Sequence, residues 1–134
     1  MATIEQAVRS MLTAGTTLSS APVPVSDASV THGYRLQDSA LPAVTFTVDT
    51  REDATVVGDV QMSTISVTSI AATSEDALAI AKKVRSALVI GVYSTISIDA
   101  VIVTADGLQP EVVGMSDEQE PSQAVTQATI YWST

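Results

Sequence analysis

The chain has no cysteine, which excludes disulfides and thiolate metal sites and leaves the redox compartment unreadable. Aromatic residues are scarce, with one Trp, one Phe and three Tyr, too few for a platform on which nucleic-acid bases would stack. His32 is the single histidine, so a Ser/His/Asp triad has one possible centre, and no G-x-S-x-G turn supplies a nucleophile for it. Beside Gly33, His32 reads as a surface or turn residue. Bases are equally few: six Lys and Arg against fifteen Asp and Glu give a net charge of −9. Phosphate binding needs clustered Lys and Arg to release counterions, so this balance argues against direct nucleic-acid affinity. No stretch approaches the ~20 apolar residues needed to span a bilayer. MATIEQAVRSML also lacks the basic start and apolar run of a secretory leader. The expectation is a soluble protein, intracellular where it is made.

Half of the basic residues, Lys82, Lys83 and Arg85, stand on one segment, SIAATSEDALAIAKKVRSALVIG. The segment reads as a helix. Thr73 precedes Asp76 by three residues, the spacing of a capping box, and Glu75 and Asp76 sit at the positive end of the dipole with the bases toward its negative end. Ala77, Ile80, Ala81, Val84 and Leu88 fall on one stripe, and Gly91 stands where a left-handed residue closes a helix. Charge order along the helix is the simplest account of the clustered bases.

A first helix is expected near the start, where Ile4, Ala7, Val8, Met11 and Leu12 repeat the stripe, Thr3 and Gln6 offer a capping box, and Gly15 offers a stop. Residues 16–40 are rich in Ser, Thr and Pro and read as a long connection with one short strand near Val30 to Leu36; their length hints at packing on a neighbour. Leu41 to Asp49 alternates Val44, Phe46 and Val48 against Thr45 and Thr47, as on a half-buried strand. In the next strand, about Val60 to Ala71, Val60 and Met62 share one parity and Ile65 and Val67 the other, so either a bulge near Ser63 resets the face or both faces are covered, and the bulge is the expectation. Ser94 to Thr104 carries Ile96, Ile98, Ala100 and Ile102 on one face and Val101 and Val103 on the other, predicting a strand covered on both sides. Residues 105–123 read as a long acidic loop, and Ala124 to Trp132 as a closing strand.

One domain over residues 1–134 is expected from this length. The class is α+β: a mainly antiparallel sheet of four to five strands with two helices packed on one face. Asp49, Glu52, Asp53 and Asp59 lack the spacing of a calcium loop, no pair of carboxylates is fixed across a cleft, and neither an enzyme activity nor a cofactor or metal is expected. Only 16% of residues are charged and the mean hydropathy is +0.30, a balance natural to a subunit with covered surfaces.

The order of IEQAVRSML, a Pro/Val/Ser loop, a strand opening LPAVTFTVDT, a hairpin into a long strand and then TSEDALAIAKKVRSAL resembles the small tail-terminator and tail-completion proteins of long-tailed bacteriophages. The resemblance covers most of the chain, departing from it at residues 105–123, which are longer and more acidic than the family's closing hairpin. It implies a virion protein at the head-proximal end of the tail, assembled in the host cytoplasm. There a homohexameric ring would cap the tail-tube protein, stop its polymerisation and meet the head connector or neck protein, with DNA passing through unbound and no membrane involved. On that reading Val56, Val57, Lys82, Lys83, Arg85, Leu108, Val112, Val113 and Met115 would supply subunit or tube contacts. Glu111, Asp117, Glu118 and Glu120 would line the channel, where negative charge lets DNA slide without sticking. A head-to-tail connector or neck subunit is the nearest alternative, followed by a small-ligand binding module, which needs an apolar pocket with converging polar groups; an enzyme using scattered carboxylates comes last.

Overall fold

The computed structural model describes residues 3–14, 17–20, 23–26, 29–33, 42–50, 60–93, 95–108 and 122–133. Two helices, α1 (Ile4–Thr13) and α2 (Ser74–Ala87), accompany strands β1 (Val30–His32), β2 (Ala43–Thr50), β3 (Gln61–Ala71), β4 (Gly91–Tyr93), β5 (Ile96–Leu108) and β6 (Ser122–Ser133). The strands form one sheet in the order β1-β2-β3-β6-β5-β4. The class is therefore α+β as expected, but the sheet has six strands and is mixed, because β1 pairs with β2 in parallel. Both edge strands have three residues: β1 falls within the short strand expected near Val30 to Leu36, and β4 is the additional one, too short for alternation to register in sequence. The parallel pair is short, running from Val30↔Val44 to His32↔Phe46.

Both helices form where the pattern places them. Thr3 and Gln6 make the full capping box: Gln6 N–H donates to Thr3 Oγ1 at 3.2 Å and Thr3 N–H to Gln6 Oε1 at 3.0 Å. In α2 the Thr73 hydroxyl accepts from Asp76 N–H at 3.2 Å. Gly91 does not close this helix. The chain leaves it at Leu88, whose N–H reaches the Val84 and Arg85 carbonyls, and Gly91 opens β4 instead. Gly15, the proposed stop of α1, lies outside the described residues.

The sheet turns one face to the helices. Val44 and Phe46 of β2, Ile65 and Val67 of β3, Ile96 and Ile98 of β5, and Ala124, Ala128 and Ile130 of β6 join the stripes of α1 and α2 in a single buried cluster. The helix α2 lies over β3, β5 and β6, while α1 lies against both edge strands, β1 and β4. The long connection contributes too: Leu18 and Val25 are buried in the same core and bonded through Val25 N–H to Leu18 O at 2.8 Å. These parts of residues 16–40 pack on their own chain.

The expected bulge near Ser63 is absent, since β3 pairs with β6 without a break from Gln61↔Trp132 to Ala71↔Ser122. Ser63 and Ser69 occupy core-facing slots in regular register and Met62 lies on the opposite face, so the apolar parity looked interrupted because an apolar residue faces outward while two inward residues are serines. Ser63 Oγ accepts from buried Trp132 Nε1 at 2.8 Å. The irregularities lie in β5, between Ile98 and Ala100 and between Val103 and Ala105. The first moves the core face from Ile96 and Ile98 to Val101 and Val103 and leaves Ile102 exposed. This overturns the expectation of a strand covered on both sides: a bulge resets parity. The extra residues are held locally, Asp99 accepting from Ser97 Oγ at 3.1 Å and Thr104 Oγ1 donating to Gln127 O at 3.2 Å.

Two core hydroxyls, Ser69 Oγ and Thr126 Oγ1, are buried without a hydrogen-bond partner among the described residues. A buried unsatisfied hydroxyl costs about 1–3 kcal/mol. Thr126→Val removes that hydroxyl at nearly constant shape, and we expect a gain of about 1 kcal/mol, read as a rise in Tm of roughly 3–5 °C. A fall in Tm in thermal unfolding followed by circular dichroism would show that the hydroxyl is satisfied in solution.

Candidate interaction surface

The bases of α2 divide by use. Lys83 is half-buried, and its ammonium donates to the carbonyls of Ser20 and of Val23, the latter at 3.2 Å. It thereby ties residues 17–26 to α2, where Leu18 and Val25 enter the core. Arg85 reaches Asp106 at 2.9 Å, with side chains 62% and 43% exposed. Asp106 pairs with core-facing Thr126 after the second irregularity of β5, so the bulge is what brings this carboxylate to the α2 side. An ion pair so exposed contributes about 0–1 kcal/mol. Lys82 is exposed; its carbonyl accepts from Ser86 Oγ at 3.2 Å, but its ammonium has neither a hydrogen bond nor an ion pair among the described residues. Of the three, it alone keeps its charge wholly available to a partner.

The face of the sheet away from the helices is defined by strand parity. Met62, Thr64, Ser66 and Thr68 of β3, Val125, Gln127, Thr129 and Tyr131 of β6, and Ala100 and Ile102 of β5 point to it, all half-buried or exposed. At its β2 end Ala43, Thr45 and Ile70 on the same face are buried. The central strands, QMSTISVTSIA and SQAVTQATIYWS, contain no charged residue. Asp49 of β2, opposite Thr64, puts a carboxylate at the margin of this face; on a chain of net charge −9 its uncharged central strands are the surface least opposed to close approach by another acidic body.

Exposed large hydrophobics concentrate at the β4 edge. Val89 is 51%, Ile90 60% and Val92 71% exposed. They follow directly from the end of α2, where Leu88 is the last buried residue of the stripe. Tyr93 folds back, donating from its hydroxyl to Val89 O at 2.8 Å, and packs against the core. The β4–β5 hairpin closes through a connection at 94–95, with Thr95 at φ +71°, a left-handed position that costs a non-glycine residue roughly 1–2 kcal/mol.

His32 is the exposed last residue of β1, its ring 5.3 Å from that of Phe46. No group of three or more His, Asp or Glu able to hold a metal occurs among the described residues, and no described helix is long and apolar enough to cross a membrane. Leu108 is the last residue of β5, a strand residue instead of a loop residue. Val56, Val57, Glu111, Val112, Val113, Met115, Asp117, Glu118 and Glu120 lie outside the described residues. The structure therefore brings Lys82, Lys83 and Arg85 together on α2 and places the β4 cluster, which sequence reasoning missed, at a sheet edge. Its sequence signal was the uncharged run SALVIGVYSTISI between Arg85 and Asp99. No family model matches the chain, and no curated protein matches it in sequence.

Proposed function

We propose that this chain is a structural subunit that closes into a ring on the tail tube of a long-tailed bacteriophage and acts as its tail terminator. The observation that carries the reading is the contrast between a strongly acidic chain and a sheet whose central strands are uncharged and whose β4 edge exposes Val89, Ile90 and Val92. Such surface is costly to leave in water and natural to a subunit whose neighbours cover it. The order of elements that resembles the terminator family supports the same role, with six copies the ring size the resemblance implies. Glu111, Asp117, Glu118 and Glu120 would face the DNA channel, and exposed Lys82 would meet a neighbouring subunit or the tube. The job requires no bond to be made or broken; it requires a closed surface that presents one face to the tube and another to the connector.

The test is electron microscopy of particles assembled without this protein. Overlong tails are expected, because nothing would then stop the tube. Tails of normal length detached from heads would assign the chain to the neck, and complete particles of normal length would overturn both readings.

A further inference from the structure

We infer that the free protein associates with a second copy of itself through the β4 edge, two sheets joining antiparallel about a two-fold axis near Gly91. The two edges of the sheet are not equivalent. At β1, Arg9 Nε donates to the Val30 carbonyl at 3.3 Å, so an α1 side chain occupies an acceptor of that edge. At β4 the register Gly91↔Ile98, Val92↔Ser97, Tyr93↔Ile96 closes the hairpin at Tyr93 and Ile96. In an antiparallel pair, hydrogen-bonded and non-bonded positions alternate; with the closing pair bonded, Val92 is non-bonded toward β5 and its N–H and C=O point out of the sheet. Outward backbone groups of this kind are complemented by another strand.

The occupant is a second copy on two grounds. First, charge: each copy carries −9, yet no charged residue lies between Arg85 and Asp99, so two copies can meet at β4 without bringing like charges together. The edge also lacks the Lys or Pro that usually blocks such pairing. Second, self-complementarity: a two-fold axis at Gly91 sets Ile90 of each copy opposite Val92 of the other. Both residues lie on one side of the strand, and each would cover the other's exposed apolar surface. The pairing belongs to the free chain and does not depend on the ring, whose head-to-tail contacts would cover the same β4 edge in place of the two-fold partner.

Sedimentation equilibrium of the full chain tests this, with Val92→Lys as the blocking variant. A concentration-dependent dimer is expected for the natural sequence, tightening as sodium chloride is raised because the mutual repulsion of the copies is screened. Val92→Lys should weaken association at least tenfold, about 1.4 kcal/mol, with an unchanged circular dichroism melt. Because the chain has no cysteine, register can be read separately by mixing Ile90→Cys with Val92→Cys protein under mild oxidation. Opposed bonded positions have Cα atoms about 5.5 Å apart, within disulfide range, so the mixed disulfide should exceed either homodimer. A chain that stays monomeric at about 100 µM, association unaffected by Val92→Lys or weakened by salt, or Val92→Cys cross-linking alone as readily as in the mixture, would each overturn the inference.

Discussion

Val84→Asp is expected to cost about 3–5 kcal/mol, a large share of the ~5–15 kcal/mol that stabilises a typical domain. Val84 is fully buried on the stripe of α2 and belongs to the cluster shared with β3 and β6. A carboxylate there loses its hydration and gains no base, since the three basic residues of the helix lie on partly or fully exposed positions. Burial disfavours the charged form, so the new carboxyl would have a folded pKa above its unfolded value of about 3.9. The folded state then binds the proton more tightly than the unfolded one, and the deficit relative to Val84→Asn should grow as pH rises through the folded pKa and shrink below the unfolded one. Urea titrations of both variants between pH 4 and 8, followed by the fluorescence of the single tryptophan, measure it. A pH-independent deficit of less than about 1 kcal/mol would place position 84 in contact with water.

Trp132→Ala is the second large effect expected, about 3–5 kcal/mol. Trp132 is 8% exposed on the core face of β6, between Gln61 of β3 and Ile98 of β5 in register. It combines a large apolar ring with a buried N–H that donates to Ser63 Oγ at 2.8 Å. Trp132→Phe separates these contributions: most of the apolar area stays, while the hydrogen bond and part of the volume go, for about 1–2 kcal/mol. Chemical denaturation monitored by circular dichroism measures both variants. Equal losses for Ala and Phe would mean that the Ser63 bond, and not burial, holds the residue.

These two expectations and the surface proposals rest on different parts of the molecule. Val84 and Trp132 act on folding of one copy, whereas Val92 and Lys82 act on what a folded copy meets. A Val92 variant that also lowered Tm strongly would blur that separation, which is why the sedimentation test carries a melting control. Lys83 belongs with the first group. Its bonds to the Ser20 and Val23 carbonyls make it a fastener of the segment that delivers Leu18 and Val25 to the core.

Local physics was legible in the sequence. The stripes of Ile4, Ala7, Val8, Met11 and Leu12 and of Ala77, Ile80, Ala81 and Val84 are buried as the helical period requires, and Thr3 and Thr73 cap their helices because a hydroxyl at that position finds a free N–H one turn on. The alternation of Val44 and Phe46, and of Ala128, Ile130 and Trp132, likewise told which side of each strand faces inward. Tertiary structure decided what no local period encodes. Ser63 and Ser69 face the core because an unbroken register with β6 puts them there, and the change of face in β5 occurs at Asp99 because pairing with β6 slips by a residue. Parallel β1 and the edge position of β4 depend on which strands lie side by side, a matter of long-range contacts. Whether Lys83 and Arg85 serve a partner or their own chain was decided the same way, by a loop and a bulged strand that only folding brings within hydrogen-bond reach of α2. Charge order along a helix is written in sequence; the identity of the opposite group is written in space.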